Sequence, residues 1–322
     1  MKKMKKIVLI LFLICVMFFS SCKNKTVVIN GFSMDAPYSV KMTPKNKDDE
    51  NKEEKVRELL KKADLLFDAY DENSSLGKLN KNKEIYISDE NRLLYDIVEK
   101  TYPYCNDYFD ISIRNLSKLW DFNSENPEVP KKEDIEEALM TVGYENIILK
   151  DEKIELKNNS SIELGAVAKG YIADEVFSIL KDNEAVIDIG GTVISSVPKK
   201  IKTGVKNPDG DGILCTFYLD FGEAVSTSGS YERYFIKDGI KYSHILDLKT
   251  GYGISDELLG VTVITKSALI ADILSTSYFS LGLKEIEVVE EDVGAIFVTK
   301  DKKVYIKGNI EIFDLNKDYK LQ

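Results

Sequence analysis

Apolar residues recur at helical spacing along three stretches of the first half of the chain. Over Val56–Tyr70 they fall three or four residues apart, so that they form one apolar stripe along a helix. The same spacing predicts a second helix over Asn91–Tyr102 and a third that follows Pro130 and ends near Gly143. The first half of the chain is therefore predicted to be mainly helical.

From Ile147 onward the pattern changes to short β-rich runs. The segment IILKDEKIEL alternates apolar and polar positions around a charged turn, which predicts a hairpin. Four further runs, EAVIDIGG, CTFYLDF, GVTVIT and GAIFVT, are typical of strands, and helices are predicted between them over residues 168–181 and 267–281. A strict βαβ order is missing. We therefore predict an α+β fold, a single compact domain with helices packed on a largely antiparallel β-sheet.

The N-terminus has the pattern of a targeting segment. Four lysines precede an unbroken apolar run of 13 residues, Ile7–Phe19, which is shorter than the roughly 20 residues that a membrane-spanning helix needs. A basic start, a short apolar centre and small residues before a break are typical of a secretory signal. Ser21 directly before Cys22 resembles the lipobox of bacterial lipoproteins, although Phe19 stands where a smaller aliphatic residue is usual. We predict a lipoprotein signal peptide over residues 1–21, acylation of Cys22, and a mature domain over residues 22–322.

Two alternatives for this segment stay open, an ordinary signal peptide that is cut nearby and an uncleaved anchor. In each case the folded domain lies outside the cytoplasmic membrane. We expect a protein that is lipid-anchored to the cell membrane on its extracytoplasmic face.

Composition makes the mature chain acidic. The whole chain has 44 basic and 54 acidic residues; without residues 1–21, which hold four lysines and no acidic residue, the net charge falls from −10 to −14. A surface of this charge repels nucleic acid, so we expect no nucleic-acid partner. An anionic ligand would need its charge offset locally by a metal ion or by a few cationic side chains.

The cysteines of the mature chain do not indicate a metal or redox motif. Besides Cys22 it contains Cys105 and Cys215, and nothing resembles a CxxC pair or a zinc site. The two cysteines are either paired in an oxidising compartment or isolated and buried, and the sequence leaves this open.

Residues 267–282 combine a helix with oxygen ligands. Ser267 is the predicted N-cap and Gly282 follows the helix end. Asp272 and Thr276 are four residues apart, so their oxygens lie on the same side of the helix. Such a pair suits a hard divalent cation, which prefers oxygen ligands. The alternative is a solvated helix face.

Three further segments have both a structural and a functional interpretation. In ELGAVAKGYIADEV, Lys169 and backbone N–H groups at a helix start could hold a phosphate, although the Walker order is absent and an ordinary strand-to-helix turn is the alternative. The glycines of IDIGG, residues 187–191, indicate a tight turn or a backbone beside a flat ligand. Hydroxyl residues around Gly229 are explained by turn chemistry alone.

His244 is the only histidine in the chain, within KYSHILDLKTGYG, residues 241–253. Histidine is a common proton carrier near neutral pH. A single copy excludes any site built on several imidazoles. By itself His244 is either a catalytic group or an incidental residue, and its neighbours suggest a position at the end of a strand.

The order of these segments resembles that of the ApbE family, the FAD:protein FMN transferases, over about residues 27–300. The blocks that carry the resemblance occur in sequence along the chain, and they are Met34-Asp-Ala-Pro-Tyr, Tyr70-Asp-Glu-Asn-Ser74, Phe109-Asp110, Glu163-Leu-Gly-Ala166-Val-Ala-Lys169-Gly170, Asp188-Ile-Gly-Gly191, Thr227-Ser-Gly229, His244-Ile-Leu-Asp247 and Ala271-Asp272 to Thr276. The sequence departs from the family at Asp35-Ala36, where Gly-Thr is more usual, and at Leu248, where proline is common.

The resemblance implies a set of site residues. Asp272, Thr276 and the backbone carbonyl of Ala166 would be Mg²⁺ ligands. His244 would be the general base, and Asp247 could orient its ring. The residues that fall where the family contacts FAD are Met34, Tyr70, Ser74, Asp110, Glu163, Lys169 and Leu246.

The implied activity is Mg²⁺-dependent cleavage of FAD, attachment of FMN through a phosphoester to a Thr or Ser hydroxyl of an extracytoplasmic or membrane flavoprotein, and release of AMP. The expected partner is an acceptor flavoprotein subunit that carries a Thr/Ser flavinylation motif. This chain has no clear Ser/Thr-Gly-Ala-Thr/Ser stretch, so it is not expected to be an acceptor itself. Two alternatives remain, an FAD pyrophosphatase that yields FMN and AMP, and a non-catalytic lipid-anchored flavin-binding protein.

Overall fold

The computed structural model describes residues 26–46, 49–254, 257–283 and 293–322. Within these residues seven α-helices occur: α1 (Glu50–Phe67), α2 (Ser75–Asn82), α3 (Arg92–Thr101), α4 (Arg114–Trp120), α5 (Lys132–Leu139), α6 (Ala168–Leu180) and α7 (Ala268–Leu281). The strands of the described residues are β1 (Val27–Ser33), β2 (Ala36–Thr43), β3 (Glu84–Tyr86), β4 (Ile147–Lys150), β5 (Lys153–Leu156), β6 (Glu184–Ile189), β7 (Thr192–Ser195), β8 (Ile201–Lys206), β9 (Ile213–Leu219), β10 (Ala224–Gly229), β11 (Tyr234–Lys237), β12 (Ile240–Ser243), β13 (Leu258–Thr265), β14 (Gly294–Thr299), β15 (Lys303–Lys307) and β16 (Lys320–Leu321).

The signal peptide predicted over residues 1–21 and the acylated Cys22 lie outside the described residues, so both stay predictions, as does the domain boundary between them. Among the residues that are described, no helix is both long enough and apolar enough to cross a membrane.

A mixed but mainly antiparallel sheet forms the centre of the fold. Within the described residues its strand order is β1-β2-β6-β7-β10-β13-β14-β15-β16, and every neighbouring pair is antiparallel except β15 with β16. Smaller sheets of order β3-β5-β4, β8-β9 and β11-β12 accompany it. The predicted α+β fold with helices on a largely antiparallel sheet is confirmed.

Strand β13 is buried on both faces because a different layer covers each. Val261 and Val263 pack with Phe279 of α7 on one face. Ile264 packs on the other face with Phe217 of the β8-β9 ribbon. A strand covered on both sides favours apolar residues, which explains the three of them in the run GVTVIT, and the buried hydroxyl of Thr262 is paired with that of Thr227.

Helices α6 and α7 each bind the N-terminus of the other. The Asp174 carboxylate of α6 accepts hydrogen bonds from the N–H groups of Ala268 at 2.7 Å and Leu269 at 3.0 Å, the first residues of α7. In return, Asp272 of α7 accepts a 2.7 Å hydrogen bond from the N–H of Gly170 in the first turn of α6. These N–H groups have no partner within their own helices, and the positive end of each helix dipole favours a carboxylate there.

Gly170 is required by this packing. A Cβ atom at residue 170 would lie 2.2 Å from the carbonyl oxygen of Ala268, which is far inside van der Waals contact. The glycine that the sequence places after Lys169 therefore serves the close approach of two helices, and phosphate binding by this segment stays a prediction.

The helices predicted from apolar spacing are present as α1, α3, α5, α6 and α7, and the predicted hairpin is β4-β5. Helix α1 begins at Glu50, six residues before the predicted start at Val56. Its first turns are largely exposed, so they contain no apolar residues from which the helix start could be predicted. The short helices α2 and α4 are additions to the prediction. Each has too few turns to show a clear apolar period.

Cys105 and Cys215 are both free and buried, so the alternative in which they form a disulfide is wrong. Burial raises the pKa of the Cys105 thiol to about 12 and that of the Cys215 thiol to about 11. Thiols with such pKa values stay protonated at neutral pH and are poor nucleophiles.

Candidate active site

Two neighbouring cavities bring together the predicted site residues. The larger, of about 170 Å³, lies between α7, the start of α6 and the segment after β12; its lining includes Asp110, Glu163, Ala166, Lys169, His244, Leu246, Asp272 and Thr276. The second, of about 160 Å³, shares Glu163 and Lys169 with the first and is also lined by Met34 and Tyr70. All the predicted site residues of the described chain except Ser74 line one of these two cavities.

Ser74 is used by the backbone around it. Its Oγ accepts a 2.8 Å hydrogen bond from the N–H of Gly77 and thereby caps α2, and it also donates to the carbonyl of Asp68 at 2.5 Å. The residue is buried, 2% exposed. Its hydroxyl thus shapes the loop that carries Tyr70, and a direct contact of Ser74 with FAD stays a prediction.

Asp272 is a buried carboxylate, 3% exposed, on the face of α7 that lines the larger cavity. Besides the bond from Gly170, it accepts a 2.7 Å hydrogen bond from the hydroxyl of Thr192 at the start of β7. Both donors are neutral, and no ion pair within the described residues includes Asp272. A buried carboxylate held only by neutral donors is well suited to a cation.

Thr276 lies one turn further along α7, beside the hydroxyl of Ser228. The two oxygens are 3.0 Å apart, and Ser228 Oγ is also 2.8 Å from the Oγ of Ser275. Strand β10 therefore fixes the rotamer of the predicted ligand Thr276.

Ala166 precedes α6, and its carbonyl oxygen is available to a metal ion because the usual helical hydrogen bond to it is not made. In an α-helix the N–H of Gly170 would bond the carbonyl four residues earlier, which is that of Ala166. Here this N–H donates to Asp272 instead. Carboxylate, hydroxyl and carbonyl oxygens are ligands that Mg²⁺ accepts, so the residues present fit this ion.

No cluster of three or more His, Cys, Asp or Glu side chains suited to a metal ion occurs in the part of the chain that the structure describes. The set predicted here contains only one such side chain, Asp272. An ion held by so few protein ligands would complete its coordination with water or substrate phosphates, as Mg²⁺ commonly does.

Charged and polar groups surround the junction of the two cavities. Lys169 is the second residue of α6, as predicted, and its Nζ donates to the carbonyl of Gly165 at 3.3 Å. Glu163 accepts a hydrogen bond from the hydroxyl of Ser117. Asp110 is 7% exposed and accepts a 2.8 Å hydrogen bond from the N–H of Ser112; burial raises the pKa of its carboxyl group.

Tyr70 is the most exposed aromatic group at the second cavity, with 53% of its surface accessible. The guanidinium carbon of Arg114 lies 3.9 Å from its ring centroid, a cation–π contact. Arg114 is itself 5% exposed. This contact holds one face of the tyrosine ring and leaves the remainder accessible to a ligand.

His244 follows the last residue of β12, at the end of a strand as the sequence suggests. Its Nδ1 lies 3.1 Å from the carbonyl oxygen of Arg233, which also accepts a 3.1 Å hydrogen bond from the His244 N–H. Because a carbonyl only accepts, Nδ1 must carry the proton, and the neutral ring then has its lone pair on Nε2. This tautomer places the basic nitrogen away from the strand.

Burial, together with the positive charges of Arg233 and Lys169, lowers the pKa of His244 to about 4. The ring is therefore neutral at pH 7 and able to accept a proton. An anionic ligand in the cavity would offset both cations and raise the pKa toward its ordinary value, which would make the ring a stronger base when substrate is bound.

The Asp247 side chain is used in a turn rather than on the histidine ring. It accepts hydrogen bonds from the N–H groups of Lys249 at 2.7 Å and Thr250 at 3.3 Å. The suggestion that Asp247 orients His244 receives no support, because the described contact of the ring nitrogen is to Arg233. Leu248, where the family often has proline, lines the larger cavity.

At the other departure from the family, Met34 and Asp35 form the two-residue turn between β1 and β2. Both have positive φ, 51° and 56°, as a type I′ hairpin turn requires. The N–H of Met34 donates to Asp64 of α1 at 2.8 Å, which fixes the turn beside the second cavity. The usual glycine is replaced without loss of the turn.

Sequence reasoning missed the hydroxyl groups of β10. The larger cavity is lined by Ser226, Thr227 and Ser228. From the sequence, the hydroxyl residues of this segment are explained by a turn alone. That explanation is wrong, because the segment is a strand between β7 and β13. The available signal in the sequence was the family block Thr227-Ser-Gly229, whereas the contacts of this strand with Thr192 and Thr276 depend on residues distant in sequence.

The tight turn predicted for IDIGG is present, and a backbone beside a flat ligand stays a prediction. Gly190 and Gly191 form the turn between β6 and β7, with φ of 58° and 91°. Gly190 also lines the larger cavity, and a Cβ there would lie 2.7 Å from Cδ of Lys169. The glycine thus admits the lysine to the site.

Asp272, Thr276, Lys169 and the neutral ring of His244 meet in one cavity, an arrangement suited to an enzyme that acts on a phosphate-bearing compound. A profile of the ApbE family matches residues 34–297. The chain belongs to the ApbE family, and it is an enzyme of the transferase class.

Relatives and solved structures agree with this assignment. The chain is 35% identical over 211 residues to an FAD:protein FMN transferase of Klebsiella pneumoniae, covering 62% of this chain and 66% of that protein. It is 26% identical over 287 residues to one of Treponema pallidum, covering 80% of this chain and 79% of that protein. The ApbE protein of Thermotoga maritima superposes with a TM-score of 0.78 at 31% identity over 90% of this chain and 97% of its own. The apo flavinyl transferase ApbE of Pseudomonas stutzeri superposes with a TM-score of 0.72 at 25% identity, over 93% of this chain and 97% of its own.

The protonation state of His244 is directly testable, because it is the only histidine of the chain. In the folded protein, purified without a histidine tag, its Cε1–H NMR signal should not titrate at pH 6.5 but only near pH 4. Long-range ¹⁵N spectra should show the Nδ1–H tautomer. In urea the same signal should titrate near the ordinary value of about 6.5. A native midpoint close to 6.5 would contradict the burial and charge argument.

Proposed function

We propose that this protein is an FAD:protein FMN transferase that attaches FMN through a phosphoester to a Thr or Ser hydroxyl of an acceptor flavoprotein and releases AMP. The observation that carries the proposal is the cavity in which Asp272, Thr276, Lys169 and His244 meet, in a chain of the ApbE family. A flavin-binding protein without turnover would have no use for a neutral imidazole beside an oxygen-only ligand set.

The proposed reaction is a displacement at phosphorus. The acceptor hydroxyl oxygen bonds to the phosphorus of the FMN half, and the bond from that phosphorus to the bridging oxygen breaks. AMP leaves with the bridging oxygen and its electron pair. The hydroxyl proton passes to Nε2 of His244, whose Nδ1–H is held by the Arg233 carbonyl.

The remaining residues position the substrate and balance its charge, which is the main protein contribution in phosphoryl-type transfer. Lys169 supplies a cation at the junction of the two cavities. Asp272, Thr276 and the Ala166 carbonyl would hold Mg²⁺, which when bound supplies charge neutralisation for the pyrophosphate. Tyr70 and Met34, in the second cavity, extend the site for the rest of FAD.

The variant His244→Gln keeps a hydrogen-bonding side chain but removes the proton acceptor. We expect transfer of FMN to an acceptor to slow by about 10²–10⁴-fold, the usual contribution of general base catalysis. Affinity for FAD should change little. Intact mass of the acceptor measures transfer, and flavin fluorescence measures binding.

The same assay without acceptor separates the proposal from its alternatives. Rapid AMP release that acceptor does not accelerate would identify an FAD pyrophosphatase. Stable FAD binding with no AMP in either case would identify a binding protein. Near-normal transfer by His244→Gln would remove the base assignment while leaving the transferase proposal intact.

The ligand assignment of Thr276 has a matched pair of variants. Thr276→Val keeps the shape of the side chain without its hydroxyl, whereas Thr276→Ser keeps the hydroxyl. Thr276→Val should therefore need a higher Mg²⁺ concentration for turnover and lose the thermal stabilisation by Mg²⁺, while Thr276→Ser should resemble wild type. Equal Mg²⁺ dependence of both variants in calorimetry and in AMP release would show that the hydroxyl is not a ligand.

We propose further that the protein is acylated at Cys22 and acts at the extracytoplasmic face of the membrane, a proposal supported by the lysine-rich start, the short apolar run and Ser21. Cys22→Ser should then move the protein from the membrane to the soluble extracytoplasmic fraction with its activity retained. Cell fractionation and mass spectrometry of the N-terminus measure this. A variant that stays in the membrane would indicate an uncleaved anchor instead.

A further inference from the structure

The β11-β12 ribbon continues directly from the wall of the larger cavity. Arg233, which lines that cavity, precedes β11, and His244 follows β12. Asp238 and Gly239 form the two-residue turn at the far end, with φ of 52° and 77°. The ribbon therefore leads from solvent to the ring proposed to accept the proton.

The register of the ribbon shows which backbone groups face outward. The N–H of His244 donates to the carbonyl of Arg233, and Lys237 pairs with Ile240 next to the turn. In an antiparallel pair of strands every second residue pair is hydrogen-bonded, so these pairs set the alternation along the ribbon. The intervening residues of β11, Tyr234 and Ile236, direct their N–H and C=O groups to the outer edge. In the described residues β11 pairs only with β12.

The other edge of the ribbon is covered. Gly253 approaches Ser243 of β12 so closely that a Cβ at residue 253 would lie 2.3 Å from the Ser243 carbonyl oxygen. At the cavity end of the ribbon the β12 edge is therefore closed, whereas β11 has no further strand beside it in the described residues.

The two faces of the ribbon differ. Phe235 and Tyr242 lie on the inner face, with ring centroids 5.3 Å apart, and pack against Trp120. Tyr234 and Ile236 lie on the opposite face and are 49% and 64% exposed. An exposed edge strand with apolar side chains is a surface on which an extended segment can add as a further strand.

We propose that the acceptor protein docks here, its flavinylation segment adding in extended form to the β11 edge so that its hydroxyl reaches His244. This proposal rests on the proposed transferase function, which requires a segment of another protein to enter the cavity. Backbone bonding to Tyr234 and Ile236 would hold the segment without demanding a particular sequence, and the apolar side chains would contact alternate residues.

The position of the edge selects this occupant. A strand added at β11 runs beside Arg233 and ends at the cavity mouth, which is where a hydroxyl must arrive to meet Nε2. Residues 233–244 carry Arg233, Lys237 and Lys241 against Asp238, and the ion pair of Lys237 with Glu128 leaves Arg233 and Lys241 as the cations that favour an acidic segment, although the chain as a whole is acidic. A segment with acidic flanks would be attracted to the ribbon and repelled elsewhere.

The ribbon offers a matched pair of variants, Ile236→Asp and Ile240→Asp. Ile236 is on the outer face of the open edge strand, whereas Ile240 is on the inner-face side of β12 at the turn and is 53% exposed. The probe is a fluorescent synthetic peptide with a Ser-Gly-Ala-Thr stretch and acidic flanks. Its binding is followed by anisotropy, and FMN transfer to it by mass.

We expect Ile236→Asp to weaken peptide binding and raise the KM for peptide by about tenfold, the effect of losing one well-packed contact of about 1.4 kcal/mol. FAD affinity and melting temperature should stay those of wild type, and Ile240→Asp should behave as wild type throughout. Wild-type values for both variants would overturn the docking site while leaving the transferase proposal intact.

Two other outcomes are informative. Peptide binding that depends on Ile236 without any FMN transfer would leave the docking site standing and reject the transferase function. A wild-type dimer in light scattering that Ile236→Asp converts to monomer would show that a second copy of this chain occupies the edge, and the proposal would be wrong.

Discussion

The structure depends on a reciprocal contact in which two helices supply carboxylates to each other's N-termini. Asp174 binds the first N–H groups of α7, and Asp272 binds Gly170 in the first turn of α6. At these ends the first N–H groups of both helices have no partner within their own helix. The contact fixes the spacing of α6 and α7. It also brings Asp272, Lys169 and Ala166 together, so the geometry of the site and the packing of the helices have the same origin.

The same arrangement determines where positive charge lies in the site. An acidic protein that handles an anionic substrate must concentrate its cations, and here Lys169 and Arg233 line one cavity. The same two cations, together with burial, keep His244 unprotonated. Bound phosphates would neutralise them and strengthen the base. In the proposed mechanism, substrate charge and base strength are therefore coupled.

The sequence was most informative where a pattern is local. Apolar spacing predicted α1, α3, α5, α6 and α7, alternation predicted the β4-β5 hairpin, and the order of short motifs indicated the family. It was least informative where contacts between residues distant in sequence determine the local structure. The serine- and glycine-rich β10 has the composition of a turn but is a strand, because β7 and β13 pair with it on either side. Gly170 was ambiguous for the same reason, since its function depends on Ala268 in a distant helix.

Trp120, the only tryptophan of the chain, gives the molecule a built-in optical reporter. Its indole is 1% exposed, donates to the Gly251 carbonyl at 2.8 Å, and packs against Tyr242 of the ribbon and Tyr252 of the loop after His244. Indole emission depends on polarity and on neighbouring groups. Its wavelength and lifetime therefore report on one end of the site only, so that events at the ribbon can be timed separately from unfolding elsewhere.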